Sequence, residues 1–179
     1  LNSVNGLIYG DDPEQGVVDG RNFTHPVLKF NFQVPSGFYM INGSRAVAIS
    51  GQSGKAQFTG AQYSGDLNAY VRAAFASLTD QGQPQITPSE LQRTTVNGMN
   101  AVYGSARVDN SGGQLDVVVS AYEFDKSTAY HFIAISQAGQ ASQFNPMFSS
   151  MRRISASEAG NVKPRRLNVV TVRSGDTVQ

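Results

Sequence analysis

Cysteine is absent from this 179-residue chain, and histidine occurs only at His25 and His131. Without thiols there is no disulfide scaffold, zinc ribbon, cysteine nucleophile or iron–sulfur ligand set. Two imidazoles also fall short of the three that a histidine-only zinc site needs. Charge is scarce as well: 15% of residues are Asp, Glu, Lys or Arg, and the net charge is +1. Such sparse charge argues against a disordered tail or a charged helical rod. So small a net excess gives no reason to expect a nucleic-acid partner. No run approaches the roughly 20 apolar residues that cross a bilayer as a helix, so no transmembrane segment is expected. No signal peptide is visible, yet the chain opens at Leu1 and stops at Gln179 in mid-pattern. The expectation is a piece of a longer protein.

What is present suits one globular domain with appendages: 40% apolar residues and 18 glycines. Residues 1–22 read as a loop-rich lead-in, with Asp11, Asp12, Glu14 and Asp19 and no base before Arg21. Leu28 to Val34 then alternates apolar and polar residues strictly, the mark of a half-buried strand. Pro35-Ser36-Gly37 turns the chain, and strands are expected at 38–41, 45–50 and 55–62, separated by Asn42-Gly43 and by Gly51 to Gly54. Over 65–79 the period changes: Leu67, Tyr70, Val71, Ala74, Phe75 and Leu78 make one helical stripe, with Ser64 or Asp66 as cap and Gly82 and Pro84 beyond the end.

A second meander is expected at 92–96, 100–108, 114–124 and 129–136, with Asn97-Gly98 as a primed turn. Its last two strands are apolar on both faces (Val117 to Val119; Tyr130, Phe132, Ile133, Ile135), so they belong in the middle with a cover on each side. One cover is helix 65–79. The other is a helix within 140–151, carrying Phe144, Met147, Phe148 and Met151, with Asn145 as cap and Pro146 as first helical residue. Residues 152–173 hold six bases against Glu158, a local net of +5. A strand is expected at 167–172, paired with the sheet or with a neighbouring molecule.

No catalytic signature emerges. Gly51-Gln52-Ser53-Gly54-Lys55 departs from the phosphate-loop pattern at Ile49 and Ala56 and reads as a hairpin turn. Neither histidine is followed by Glu, so there is no H-E-x-x-H helix. His25 is expected to anchor a loop and His131 to pack on a strand face beside Ile133 and Ile135. No G-x-S-x-G elbow is present. The close acids Asp11-Asp12 lack the calcium-loop pattern, and Glu123 and Asp125 flank a strand end. Arg165-Arg166 beside Pro164 reads as a solvated linker.

The order of short phrases carries a resemblance. Gly6-Leu7-Ile8-Tyr9-Gly10-Asp11-Asp12-Pro13 is followed by Gly20-Arg21, Phe23-Thr24-His25-Pro26 and Phe30-Asn31-Phe32-Gln33-Val34-Pro35-Ser36-Gly37-Phe38. Then come Thr95-Val96-Asn97-Gly98, Arg152-Arg153-Ile154-Ser155, Pro164-Arg165-Arg166-Leu167-Asn168-Val169-Val170-Thr171-Val172 and Gly175-Asp176-Thr177-Val178. This resembles the region after the peptidase domain in bacterial zinc metalloproteases of the HtpX and BepA type. The resemblance implies a parent protease in the cell envelope or periplasm, with zinc and catalytic residues before this region. No catalytic or metal-ligating residue is carried over, and no cofactor is expected here. The closing residues resemble the start of a LysM-like segment, and the meander–helix–meander–helix order is similar to PsbP-like domains.

The expectation is therefore an α+β domain over 23–155 with a mostly antiparallel sheet flanked by helices, then a basic linker at 156–179. It would be non-catalytic, pack on the peptidase domain of its own chain or present envelope protein substrates, and take a peptide at a sheet edge that the sequence does not single out. A second hypothesis is an independent envelope module for a small ligand or glycan; a third is an enzyme of unfamiliar type. Binding residues and oligomeric state stay open.

Overall fold

The computed structural model describes residues 16–43, 46–78, 86–110 and 112–162. The expected strand at 167–172, the LysM-like start and most of the lead-in lie outside these residues. The larger sheet has seven antiparallel strands: β4 (Tyr39–Asn42), β5 (Val47–Gly51), β6 (Gly54–Ala61), β7 (Gln92–Val96), β8 (Met99–Asn110), β9 (Gly113–Asp125) and β10 (Thr128–Gln137). Their spatial order is β4-β5-β6-β10-β9-β8-β7, so two meanders meet where β6 pairs with β10. Local chemistry sets the turns. Asn97 and Gly98 have φ of 48° and 84°, the primed turn that suits a twisted hairpin.

Helix α1 (Leu67–Ala76) links the meanders. Asp66 caps it, its Oδ1 accepting from the Ala69 N–H at 3.1 Å. Because α1 starts after central β6 and leads to edge strand β7, it crosses β8 and β9 on the way. It buries Leu67, Tyr70, Val71, Ala74 and Phe75 against Val102, Val117, Val119, Ala121 and Ile133. The helix is shorter than the expected 65–79, ending at the Ser77 cap.

The opposite face is covered by a second, four-stranded sheet. Its order is β1 (Val17–Asp19), β2 (Asn22–His25), β3 (Phe30–Gln33) and β11 (Arg152–Arg153). Within the expected loop at 1–22, residues 17–19 form a strand instead: Val17 is buried and β1 pairs with β2 through a turn at Gly20. The strand expected at 28–34 is shorter, because Lys29 adopts a left-handed φ of 67°. Its alternation also fails at Asn31, which is buried and donates to Thr24 Oγ1 at 2.9 Å. The cover expected at 140–151 is a 3₁₀ turn at Ala141–Phe144 followed by α2 (Asn145–Ser150), with Phe144 rather than Asn145 at the cap. A last turn of helix, α3 (Ala156–Gly160), buries Ala159 and has Ser155 as its cap.

Between the sheets lies an aromatic core. Ring centroids are 4.7 Å apart for Phe32–Phe58, 4.9 Å for Phe32–Phe132 and 5.2 Å for Phe30–Phe58. Such pairs add roughly 0.5–1.5 kcal/mol each beyond their buried area. Asn97 ties the β7–β8 hairpin to this layer, donating to the carbonyls of Ser149 and Met151.

Both histidines belong to the packing. His25 is fully buried beside Phe30, and its Nδ1 accepts from the Leu28 N–H at 3.0 Å, anchoring the loop as expected. His131 sits on the other side of the large sheet, beneath α1, with the Tyr70 hydroxyl 2.8 Å from its Nδ1. Burial holds its pKa down at about 4, from an ordinary 6.5.

Two outcomes follow for stability. Phe132→Ala empties the centre of the aromatic layer and should cost about 3–5 kcal/mol, read from the urea midpoint. The unfolded His131 takes up a proton near pH 6.5 and the folded one only near 4. Stability should therefore be fully present above pH 6.5 and fall by about 3 kcal/mol as the pH drops to 4. His131→Phe should flatten that part of the profile.

Candidate functional site

The residues weighed as possible chemistry are spread apart. Gly51 to Lys55 is a hairpin turn, with Gly51 opposite Gly54. A Cβ at Gly54 would come within 2.9 Å of the Ile135 carbonyl oxygen, so close strand packing explains that glycine. Asp125 is spent on its own turn, accepting from Ser127. Glu123 has other partners, so the two acids do not act as a pair. Arg152 makes a two-pronged ion pair with Glu158, and Arg153 donates twice to the Phe124 carbonyl while lying 5.4 Å from that ring. These two bases of the basic stretch thus hold β11 and α3 in place. Asp11, Asp12, Lys163, Arg165, Arg166 and Arg173 lie outside the described residues. Among the described residues, no three His, Asp or Glu side chains converge on one point.

Two surface features remain. The first is a cleft of about 400 Å³ on the α1 side of the sheet, between the start of α1 and strands β7 to β9. Glu123 lies on its floor and accepts from the Tyr63 hydroxyl and from Asn100 Nδ2 at 3.1 Å. Those two hydrogen bonds hold the Glu123 carboxyl below its ordinary range, with weaker help from Arg153 and Arg93. Burial, and then the Glu123 contact, raise the Tyr63 phenol to about 12. At neutral pH the carboxylate is ionised and the phenol donates. Arg93 and Thr95 of β7 share the cleft's face with Asn100, and the buried Leu67 and Val102 lie beneath it.

The second feature is the part of the α1-side face that α1 does not reach. Tyr39 and Ile41 of edge strand β4 are 59% and 58% exposed there. The register places them beside Ser50 and Ala48 of β5, and then Lys55 and Gln57 of β6. No strand pairs with the outer side of β4 among the described residues.

Sequence reasoning found the strand near 38–41 but not the exposure of its outward residues, which depends on where α1 crosses. The cleft was missed altogether. Tyr63, the Arg93–Asn100 hairpin and Glu123 are far apart in sequence, and only the course of α1 and the β7–β8–β9 register bring them together.

No protein-family model matches this chain, and no curated protein matches it. Solved structures do. Cyanobacterial PsbP (CyanoP) from Synechocystis sp. PCC 6803 superposes with a TM-score of 0.58 at 13% identity, over 86% of this chain and 98% of that one. A Bacteroides thetaiotaomicron VPI-5482 protein gives 0.54 at 9% identity over 78% of this chain, which spans half of that protein's length (50%). LpqN of Mycobacterium tuberculosis, described as involved in cell envelope biogenesis, gives 0.50 at 12% identity, over 70% of this chain and 83% of that one. Identities this low speak to the fold, and the fold is α+β of the PsbP-like type.

Proposed function

We propose that this chain is a non-catalytic accessory domain of a bacterial cell-envelope zinc metalloprotease, docking on the peptidase domain or presenting protein substrates along an open sheet edge. The observation that carries this reading is the contrast between the two edges of the large sheet. Strand β7 is guarded: Gln92, Arg93, Thr94 and Thr95 are all exposed and polar, with a charge among them. Such residues discourage pairing with another chain. Strand β4 reads Tyr-Met-Ile-Asn, with no charge and no proline, and its two outward side chains are apolar. An extended polypeptide adding there gains backbone hydrogen bonds and lays alternate side chains against Tyr39 and Ile41.

The phrase order shared with the region after the peptidase domain supports the identity of the parent. The envelope description of LpqN supports an extracytoplasmic location, and among the described residues no helix is long and apolar enough to cross a membrane. Zinc, in this reading, belongs to the peptidase domain. The two histidines here are buried on opposite sides of the large sheet and are not placed to share a metal.

The natural polypeptide captured from source cells should exceed 19.2 kDa well and carry about one zinc per chain. A free protein of this size without metal would sink the accessory reading. Ile41→Lys should change stability by no more than about 0.5 kcal/mol, since the side chain is exposed. It should nonetheless abolish saturable binding of an unfolded envelope protein and the slowed amide exchange at 39–42 in the longer polypeptide. Unchanged binding and exchange would remove β4 from the account.

A further inference from the structure

The Glu123 cleft owes nothing to the β4 edge and has a chemistry of its own. Its size lies within the roughly 300–1,000 Å³ range of small-ligand sites. Its charges, one carboxylate at Glu123 and one guanidinium at Arg93, cancel. Arg93 forms no ion pair among the described residues. An anionic ligand would meet the Glu123 carboxylate on the floor, and the positive end of α1 is already answered by the Asp66 cap. A cation would find one carboxylate, already accepting two hydrogen bonds and faced by Arg93 and Arg153.

What the cleft offers is a dense, mixed set of donors and acceptors. An ionised carboxylate has about four acceptor positions, and Tyr63 and Asn100 occupy two. The remaining lone pairs accept hydroxyl protons, Arg93 donates, and Thr95 and the Asn100 amide do both. Tyr63 and Asn100 also fix the carboxylate before any ligand arrives, which reduces the entropy lost on binding.

From this combination we infer that the cleft bounded by Tyr63, Arg93, Thr95, Asn100 and Glu123 is a binding site for an uncharged, hydroxyl-rich ligand, a neutral saccharide unit. Glu123 and Asn100 take vicinal hydroxyls and Arg93 bridges a ring or glycosidic oxygen. The inference is independent of the accessory role proposed above.

The test is an NMR titration of the whole chain with chitotetraose, maltotetraose and cellotetraose, alongside inorganic phosphate and spermidine as charged probes. At least one oligosaccharide should give saturable amide shifts centred on Thr95, Asn100 and Glu123. Asn100→Ala, at an exposed position, should weaken that binding about ten-fold, while Lys55→Ala at the far end of β6 leaves it unchanged. Ile41→Lys should also leave it unchanged, which separates this site from the β4 edge. Saturable shifts from phosphate or spermidine alone, no saturable shift from any oligosaccharide, or binding indifferent to Asn100→Ala would each overturn the assignment.

Discussion

Strand β10 pairs with β6 from Ala129–Ala61 through Ser136–Gly54, and this ladder turns two separate meanders into one seven-stranded sheet. It puts Phe132 opposite Phe58 and Tyr130 opposite Gly60, so the aromatic layer between the sheets is assembled across the joint. The same pairing sets what must be covered. Strands β9 and β10 sit near the middle and are apolar on both faces, which requires α1 on one side and the small sheet with residues 141–150 on the other. Since β7 lies at the far edge, the connection from β6 has to cross only that half of the sheet. Among the described residues, the exposure of Tyr39 and Ile41 is thus a result of topology.

Much of this was legible in the sequence because it rests on local patterns. The Asn97-Gly98 turn, the stripe of α1 and the double-sided apolar strands each carry their signal within a dozen residues. The first two strands were not legible: β1 and β2 have three and four residues and are separated by a Gly20-Arg21 turn, too short for alternation to register. Asn31 looked like a solvent position, yet a second layer and a bond to Thr24 bury it. The site was the least legible part. Nothing near Tyr63 announces Glu123, because their meeting depends on α1 and on the register of three strands.

The charged residues divide along similar lines. Arg152 and Arg153 stood out in the sequence as the start of a basic stretch, yet they act as struts, one on Glu158 and one on the Phe124 carbonyl. Arg93, unremarkable in sequence, faces the cleft. In a chain this poor in charge, what a base does is decided by the acid or carbonyl that the fold sets before it.

The β6–β10 ladder also bears on how the chain reaches this state. Its partners are about 70 to 80 residues apart, whereas each meander closes through short turns. Hairpins form in microseconds, but the joint must wait for a long loop to close. Until it does, β10 is itself an edge, apolar on both faces and unguarded by charge over Tyr130 to Ile135. The segment best buried in the finished domain is therefore the most aggregation-prone in the half-made one. Production of this domain will turn on how quickly β6 arrives to cover it.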